Sequence, residues 1–171
     1  MRGSGPVRII NTDLAVLEAG EPRKDLPCAV INNKPVLGFD LRYHSGYEVS
    51  VPLRELAGSE NLLTILFRVT PVEPAGDPVY MVQRVRVPAI EEEANGDAYL
   101  QGGFDIGEGQ YKVDWLMRDR SERVCSSYWE FEAKLPEKDR QIALAVAPGV
   151  VQAVTHEQFK EEPPVLRAQE D

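Results

Sequence analysis

Residues 107–125 read GEGQYKVDWLMRDRSERVC, and the reading of this stretch decides the fold. Tyr111, Val113, Trp115 and Met117 share one parity, while Lys112, Asp114 and Arg118 hold the other. Alternation of period two sends successive side chains to opposite faces of a β-strand, so the apolar set faces a core. A strand lining a catalytic cleft and a strand filling a core both read this way. The core reading is favoured here, because large aromatics such as Tyr111 and Trp115 more often fill interior volume than line a ligand cleft. Across a turn at 119–123, Cys125, Ser127, Trp129, Phe131 and Ala133 share a parity that turns Cys125 and Trp129 inward.

The same alternation recurs outward along the chain. Phe39, Leu41 and Tyr43 share a parity with Tyr47, Val49, Val51 and Leu53, interrupted by Ser45-Gly46. A three-residue loop, His44-Ser45-Gly46, would pair Tyr43 with Tyr47 and place Gly46 where such a loop needs a left-handed residue. That hairpin is the expected arrangement, with one long bent strand as the alternative. Further strands are expected at 62–70, 79–87, 98–106, 110–118, 124–134 and 141–147, the first so uniformly apolar that it suits a central strand or one covered on both sides. Helix signals are scarce, confined to a turn or so at 53–56 and 90–94. Short strands separated by Gly- and Pro-containing turns indicate an antiparallel sandwich or barrel.

Gly109-Gln110-Tyr111 at a strand start resembles the tyrosine corner of immunoglobulin-like sandwiches. The expected fold is therefore all-β: an antiparallel immunoglobulin-like β-sandwich of seven or eight strands with little helix. Residues 1–27 read as a leader (MRGSG resembles an expression-vector sequence) and a lead-in with one strand near residues 8–10. Residues 28–150 form the sandwich domain, and 151–171 a charged, proline-containing tail or linker into which more chain would follow.

The chain has 171 residues, 43% apolar and 27% charged, enough for one ordinary globular domain. Its 28 acidic and 19 basic residues give a formal charge of −9, which opposes association with nucleic acid or an anionic bilayer. No apolar run approaches the roughly 18 residues of a membrane span, so no membrane insertion is expected.

KDLPC (24–28), the run from Gly38 to Pro71, VYMVQRVRVP (79–88) and the opening stretch together resemble the N-terminal β-rich region of a family of uncharacterised exported bacterial proteins. The resemblance spans residues 24–150. It implies a periplasmic or secreted setting and no known activity, and carries no catalytic residue to transfer. A cytoplasmic location is the alternative. In an exported protein Cys28 and Cys125 are expected to be bonded; two separate buried thiols are the other reading.

Catalytic chemistry finds little support. The chain holds two histidines, His44 in the proposed loop and His156 in the tail, and no motif for a metalloprotease, nucleophile elbow or phosphate loop. Ser126 and Ser127 have no base nearby in sequence. The acidic run Glu91-Glu92-Glu93-Ala94-Asn95-Gly96-Asp97 lacks the ligand spacing of a calcium loop. The expected function is a non-catalytic binding or interaction module of an exported bacterial protein, with no cofactor and no metal, meeting a protein partner (itself or an envelope protein). Tyr80, Val82, Arg84 and Arg86, on a strand expected at a sheet edge, form the expected contact surface, and lysine at Tyr80 and Val82 is expected to spare the fold. A carbohydrate-binding module using Tyr80, Tyr99 and Tyr128 to stack on a glycan is the alternative, and a small hydrolase with paired carboxylates a third reading.

Overall fold

A computed structural model describes residues 10–154 of the chain. A helix, α1 (Asn11–Ala19), precedes eight strands: β1 (Ala29–Leu37), β2 (Tyr43–Pro52), β3 (Asn61–Glu73), β4 (Val79–Val87), β5 (Asp97–Ile106), β6 (Gly109–Arg118), β7 (Val124–Ala133) and β8 (Val151–Ala153). They form two four-stranded sheets, ordered β1-β2-β5-β8 and β4-β3-β6-β7, with every ladder antiparallel. The fold is an all-β sandwich. No described helix is long and apolar enough to cross a membrane.

The opening stretch becomes β6, and its odd positions Tyr111, Val113, Trp115 and Met117 are buried between the sheets. The Tyr111 hydroxyl donates to the Gly107 carbonyl at 2.7 Å, the bond expected of a tyrosine corner, and its ring stacks on Phe131 at 5.2 Å. Opposite, Tyr47 of β2 packs between Phe67 and Trp115, at 5.3 and 5.4 Å between ring centroids. Trp129 is only half buried, and its indole nitrogen, like that of Trp115, is buried without a hydrogen-bond partner.

Four expectations change. The run through Ser45-Gly46 does not turn: β2 is continuous from Tyr43, and the hairpin joining it to β1 is Gly38–Arg42, closed by Gly38 N–H to Arg42 C=O at 2.9 Å, with Leu41 left-handed at φ 62°. Gly46 serves close approach instead, since a Cβ there would lie 2.1 Å from the Gly102 carbonyl oxygen. Strand β1 escaped the periodicity because the Asn32-Asn33-Lys34-Pro35 segment carries a register shift between Asn33 and Val36. Residues 141–147 form no ladder. Ile142 and Leu144 pack against the core and Val146 is buried, while the pairing strand is β8, inside the segment expected as tail. The lead-in holds α1, a helix that no sequence signal indicated; the strand expected near 8–10 lies mostly outside the described residues, as does the tail from residue 155 on, with His156.

Sulfurs of Cys28 and Cys125 are bonded, with Cα atoms 6.3 Å apart and the two cysteines 97 positions apart in sequence. The bond joins the approach to β1 in one sheet to the start of β7 in the other. Segment 23–26 runs along β7, through Leu26 N–H to Val124 C=O and Ser126 N–H to Arg23 C=O, and covers that part of the edge. In the chain-entropy account, opening so long a loop costs about 4–5 kcal/mol. The double variant Cys28→Ala, Cys125→Ala is therefore expected to lose about 2–5 kcal/mol of unfolding free energy in urea, and the unreduced, denatured wild-type protein to show no titratable thiol.

Candidate functional site

The two outer faces of the sandwich differ. On the β4-β3-β6-β7 sheet, Val16 and Leu17 of α1 pack onto Leu66, Leu116 and Val124, with Tyr80 and Val82 half buried against them. This explains why Leu116 and Asp114, on the polar parity of β6, are buried. Polar contacts pin the helix. The Arg118 guanidinium donates to both carboxylate oxygens of Asp13 at 3.0 and 2.9 Å, and this bond holds its pKa above the ordinary value. Arg68 donates to Asp114 at 2.7 Å and lies 3.7 Å from Glu18, and the Tyr128 hydroxyl donates to the Val16 carbonyl.

Strand β4 is at a sheet edge, as expected, but its outward residues divide into two pairs. Tyr80 and Val82 belong to the apolar cluster beneath α1, and Tyr80 accepts a bond from Arg68 at 3.2 Å. Arg84 and Arg86 are exposed, and Arg86 reaches Glu60 at 3.3 Å beside a shallow cavity of about 310 Å³ that Leu62 and Arg120 also line. Exposed arginines on an edge strand discourage sheet-to-sheet pairing.

The outer face of β1-β2-β5-β8 has no described helix over it. In the middle of this face Asn33, Gly46 and Gly103 are register partners across three strands, so two adjacent positions carry no side chain. Toward the β1 edge an open trough of about 530 Å³ is lined by Asn32, Asn33, Lys34, Val36, His44 and Ser45. Apolar side chains are exposed on the same sheet: Ile31 is 61% exposed, Val36 63% and Tyr99 76%. At the tip of the β1–β2 turn Phe39 is fully exposed.

His44 lies at one end of the trough. Its Nδ1 is 2.6 Å from Asp105 Oδ1 on β5, and its Nε2 is 3.0 Å from both oxygens of Asp40 in the turn. Burial opposes the imidazolium charge, but the two carboxylates outweigh it and hold the pKa above the ordinary histidine value. The acids sit on opposite sides of the ring and do not converge on one ion. Among the described residues no three His, Cys, Asp or Glu side chains are placed to hold a metal. The neighbouring hydroxyl, Ser45 Oγ, donates to the Asn33 carbonyl.

Other sequence candidates have structural roles. Ser126 Oγ accepts from Arg23 N–H, and buried Asp119 accepts from the Ser121 and Arg123 N–H groups to close its turn. Glu91, Glu92 and Glu93 are exposed. The three tyrosines expected to stack on a sugar do not share a surface: Tyr80 and Tyr128 contact α1, while Tyr99 is on the other sheet. Sequence reasoning missed the trough, whose lining comes from the irregular Asn32–Val36 segment, and the exposure of Phe39, which shares a parity with buried Tyr43.

Because Tyr80 and Val82 pack against the α1 cluster, lysine there is expected to disturb the seating of the helix. Tyr80→Lys with Val82→Lys is expected to cost about 1–3 kcal/mol in urea denaturation, and Arg84→Glu with Arg86→Glu less than about 0.5 kcal/mol.

In comparisons with known proteins the chain matches no family model, no curated protein and no solved structure.

Proposed function

We propose that the chain is a non-catalytic, immunoglobulin-like binding module of an exported protein, and that it meets a protein partner on the outer face of β1-β2-β5-β8 and the turn beside it. The observation that carries this reading is the full exposure of Phe39 at the turn, with Ile31, Val36 and Tyr99 exposed along the same sheet, while α1 covers the middle of the opposite outer face. Exposed apolar side chains, especially aromatics, are what protein interfaces bury. The ring of Phe39 is fully exposed, so its whole apolar surface is available for a partner to bury.

Supporting the exported setting is the Cys28–Cys125 bond, a cross-link that persists in oxidising compartments. Supporting the immunoglobulin-like reading are the sheet order, with β1-β2-β5 facing β4-β3-β6-β7, and the Tyr111 corner on β6. Charge also shapes the choice of partner. Asp40, Glu48, Asp97 and Asp105 stand on or beside this face against Lys34 and Arg42, so a partner presenting apolar and basic side chains is complementary.

Photo-crosslinking in the native host tests the reading. With p-benzoylphenylalanine at Phe39 or Ile31 a discrete protein adduct is expected, and none with the same residue at Arg84. Equal adducts from all three positions, or none, would discard this face as the binding surface. Phe39→Asp is expected to abolish the adduct formed from position 31 while leaving unfolding free energy within about 0.5 kcal/mol of wild type, as for an exposed site.

A further inference from the structure

The turn that presents Phe39 is held by a histidine whose contacts require two protons. A neutral imidazole has one N–H donor and one acceptor nitrogen, whereas an imidazolium donates from both. Both ring nitrogens of His44 face carboxylates, at 2.6 Å on the Asp105 side and 3.0 Å on the Asp40 side. Ionised carboxylates only accept, so a neutral ring must lose one contact, with its lone pair then opposed to theirs. The shorter contact, to the less exposed acid, keeps the proton: the Asp105 side chain is 14% exposed and that of Asp40 49%.

We propose that His44 is a proton-operated latch on the docking turn: doubly protonated it holds Asp40, and with it the segment carrying Phe39, to β5, and on losing a proton it keeps Asp105 and releases Asp40. The remaining ties of the turn do not depend on this proton. They are the Gly38–Arg42 backbone bond, Leu41 N–H to Gly38 C=O at 3.0 Å, Arg42 N–H to Asp40 Oδ1 at 3.2 Å within the turn, Ala145 N–H to Leu41 C=O at 2.8 Å, and Arg42 to Gln152 of β8 at 2.6 Å. Deprotonation therefore loosens the tip without unravelling the hairpin. The consequence for binding rests on the docking reading above: affinity for the partner falls as pH rises.

The direction follows from the charges around the ring. Asp40 faces it from the turn and Asp105 from β5, and together they outweigh the cost of burial, so the folded pKa of His44 stands above 6.5. Lys34 of β1 lines the same trough and Arg42 flanks the turn, and these are the basic side chains nearest the ring. Burial favours protonation of Asp40, but its bonds to His44 and to the Arg42 N–H prevail and hold its pKa below 3.8. Stability from the histidine is fully present below its unfolded value and is lost as pH climbs through the raised folded value. The latch is closed between the depressed pKa of Asp40 and the raised pKa of His44.

With two histidines in the chain, His44→Gln assigns the imidazole signals by difference. In the full-length protein, NMR titration is expected to place His44 above 6.5, and Asp40→Asn to move it back toward that value. Amide exchange at residues 39–42, corrected for intrinsic rates, is expected to rise through the same titration, by about tenfold for each unit of pKa that Asp40→Asn removes. His44→Gln should remove this step. Titration of His44 at or below its ordinary value, or turn protection indifferent to that titration, would overturn the latch. If Asp40→Asn disturbs the turn itself, the wild-type titration and exchange decide alone. Crosslinking from positions 31 and 39 at a pH below the titration tests docking separately, so a failed latch and a failed interface give different results.

Discussion

The sandwich closes around Tyr47. Its ring fills the space between Phe67 and Trp115, and its hydroxyl donates to Gln83 on the facing sheet at 2.7 Å. That fit requires an empty place on the neighbouring strand: a Cβ on Gly102 would lie 2.3 Å from the Tyr47 hydroxyl. One residue away, the β2–β5 ladder brings the Gly102 carbonyl so close that Gly46 cannot carry a Cβ either. With Gly103 as the register partner of Gly46, bare backbone appears on the outer face directly behind the packed aromatics. The packing inside thus fixes where the outer face of this sheet carries no side chain, and close-packed interiors pass such constraints through a sheet.

Covering the other sheet follows a different logic. A face with Leu66, Leu116 and Val124 on it cannot be left in water without cost, and α1 supplies Val16 and Leu17 to bury it. The salt bridge from Asp13 to Arg118 sets the helix at one end and the Tyr128 hydroxyl holds it further along. Nothing equivalent lies over the trough among the described residues, and Ile31, Val36, Phe39 and Tyr99 are exposed on that sheet and its turn. One outer face is thus partly covered by the chain itself and the other is open. His44 sits where that open face meets the turn that carries Phe39.

Much of the strand pattern was legible. The strands at 79–87, 98–106 and 110–118 follow from alternation because each has one face on a continuous core. The uniformly apolar β3 was legible as a covered central strand, with Phe67 facing inward and Leu66 under the helix. Strand β1 was not legible, because its Asn32–Pro35 segment breaks the period at an edge where little is buried. Helix α1 was missed for a related reason: nine residues of which Val16, Leu17 and Asp13 alone are buried leave too short an apolar stripe to recognise. The candidate site was legible only as separate parts. His44 was noted as a loop residue and Gly46 as a turn former, and neither reading brings them onto one strand beside Asp105.

By itself the sequence determined the class of fold and the content of its core, because alternation and turn residues act over a few neighbours along the chain. Tyr111 behind Gly109, and Trp115 on its parity, needed no knowledge of the second sheet. Tertiary structure decided which outer face is covered, that Cys28 meets Cys125, and that Asp40 and Asp105 flank one imidazole. Those outcomes depend on which strands become neighbours across 61 residues, as with His44 and Asp105, or 105, as with Asp13 and Arg118. Such pairings are set by packing of the whole sandwich, and no local period along the chain encodes them.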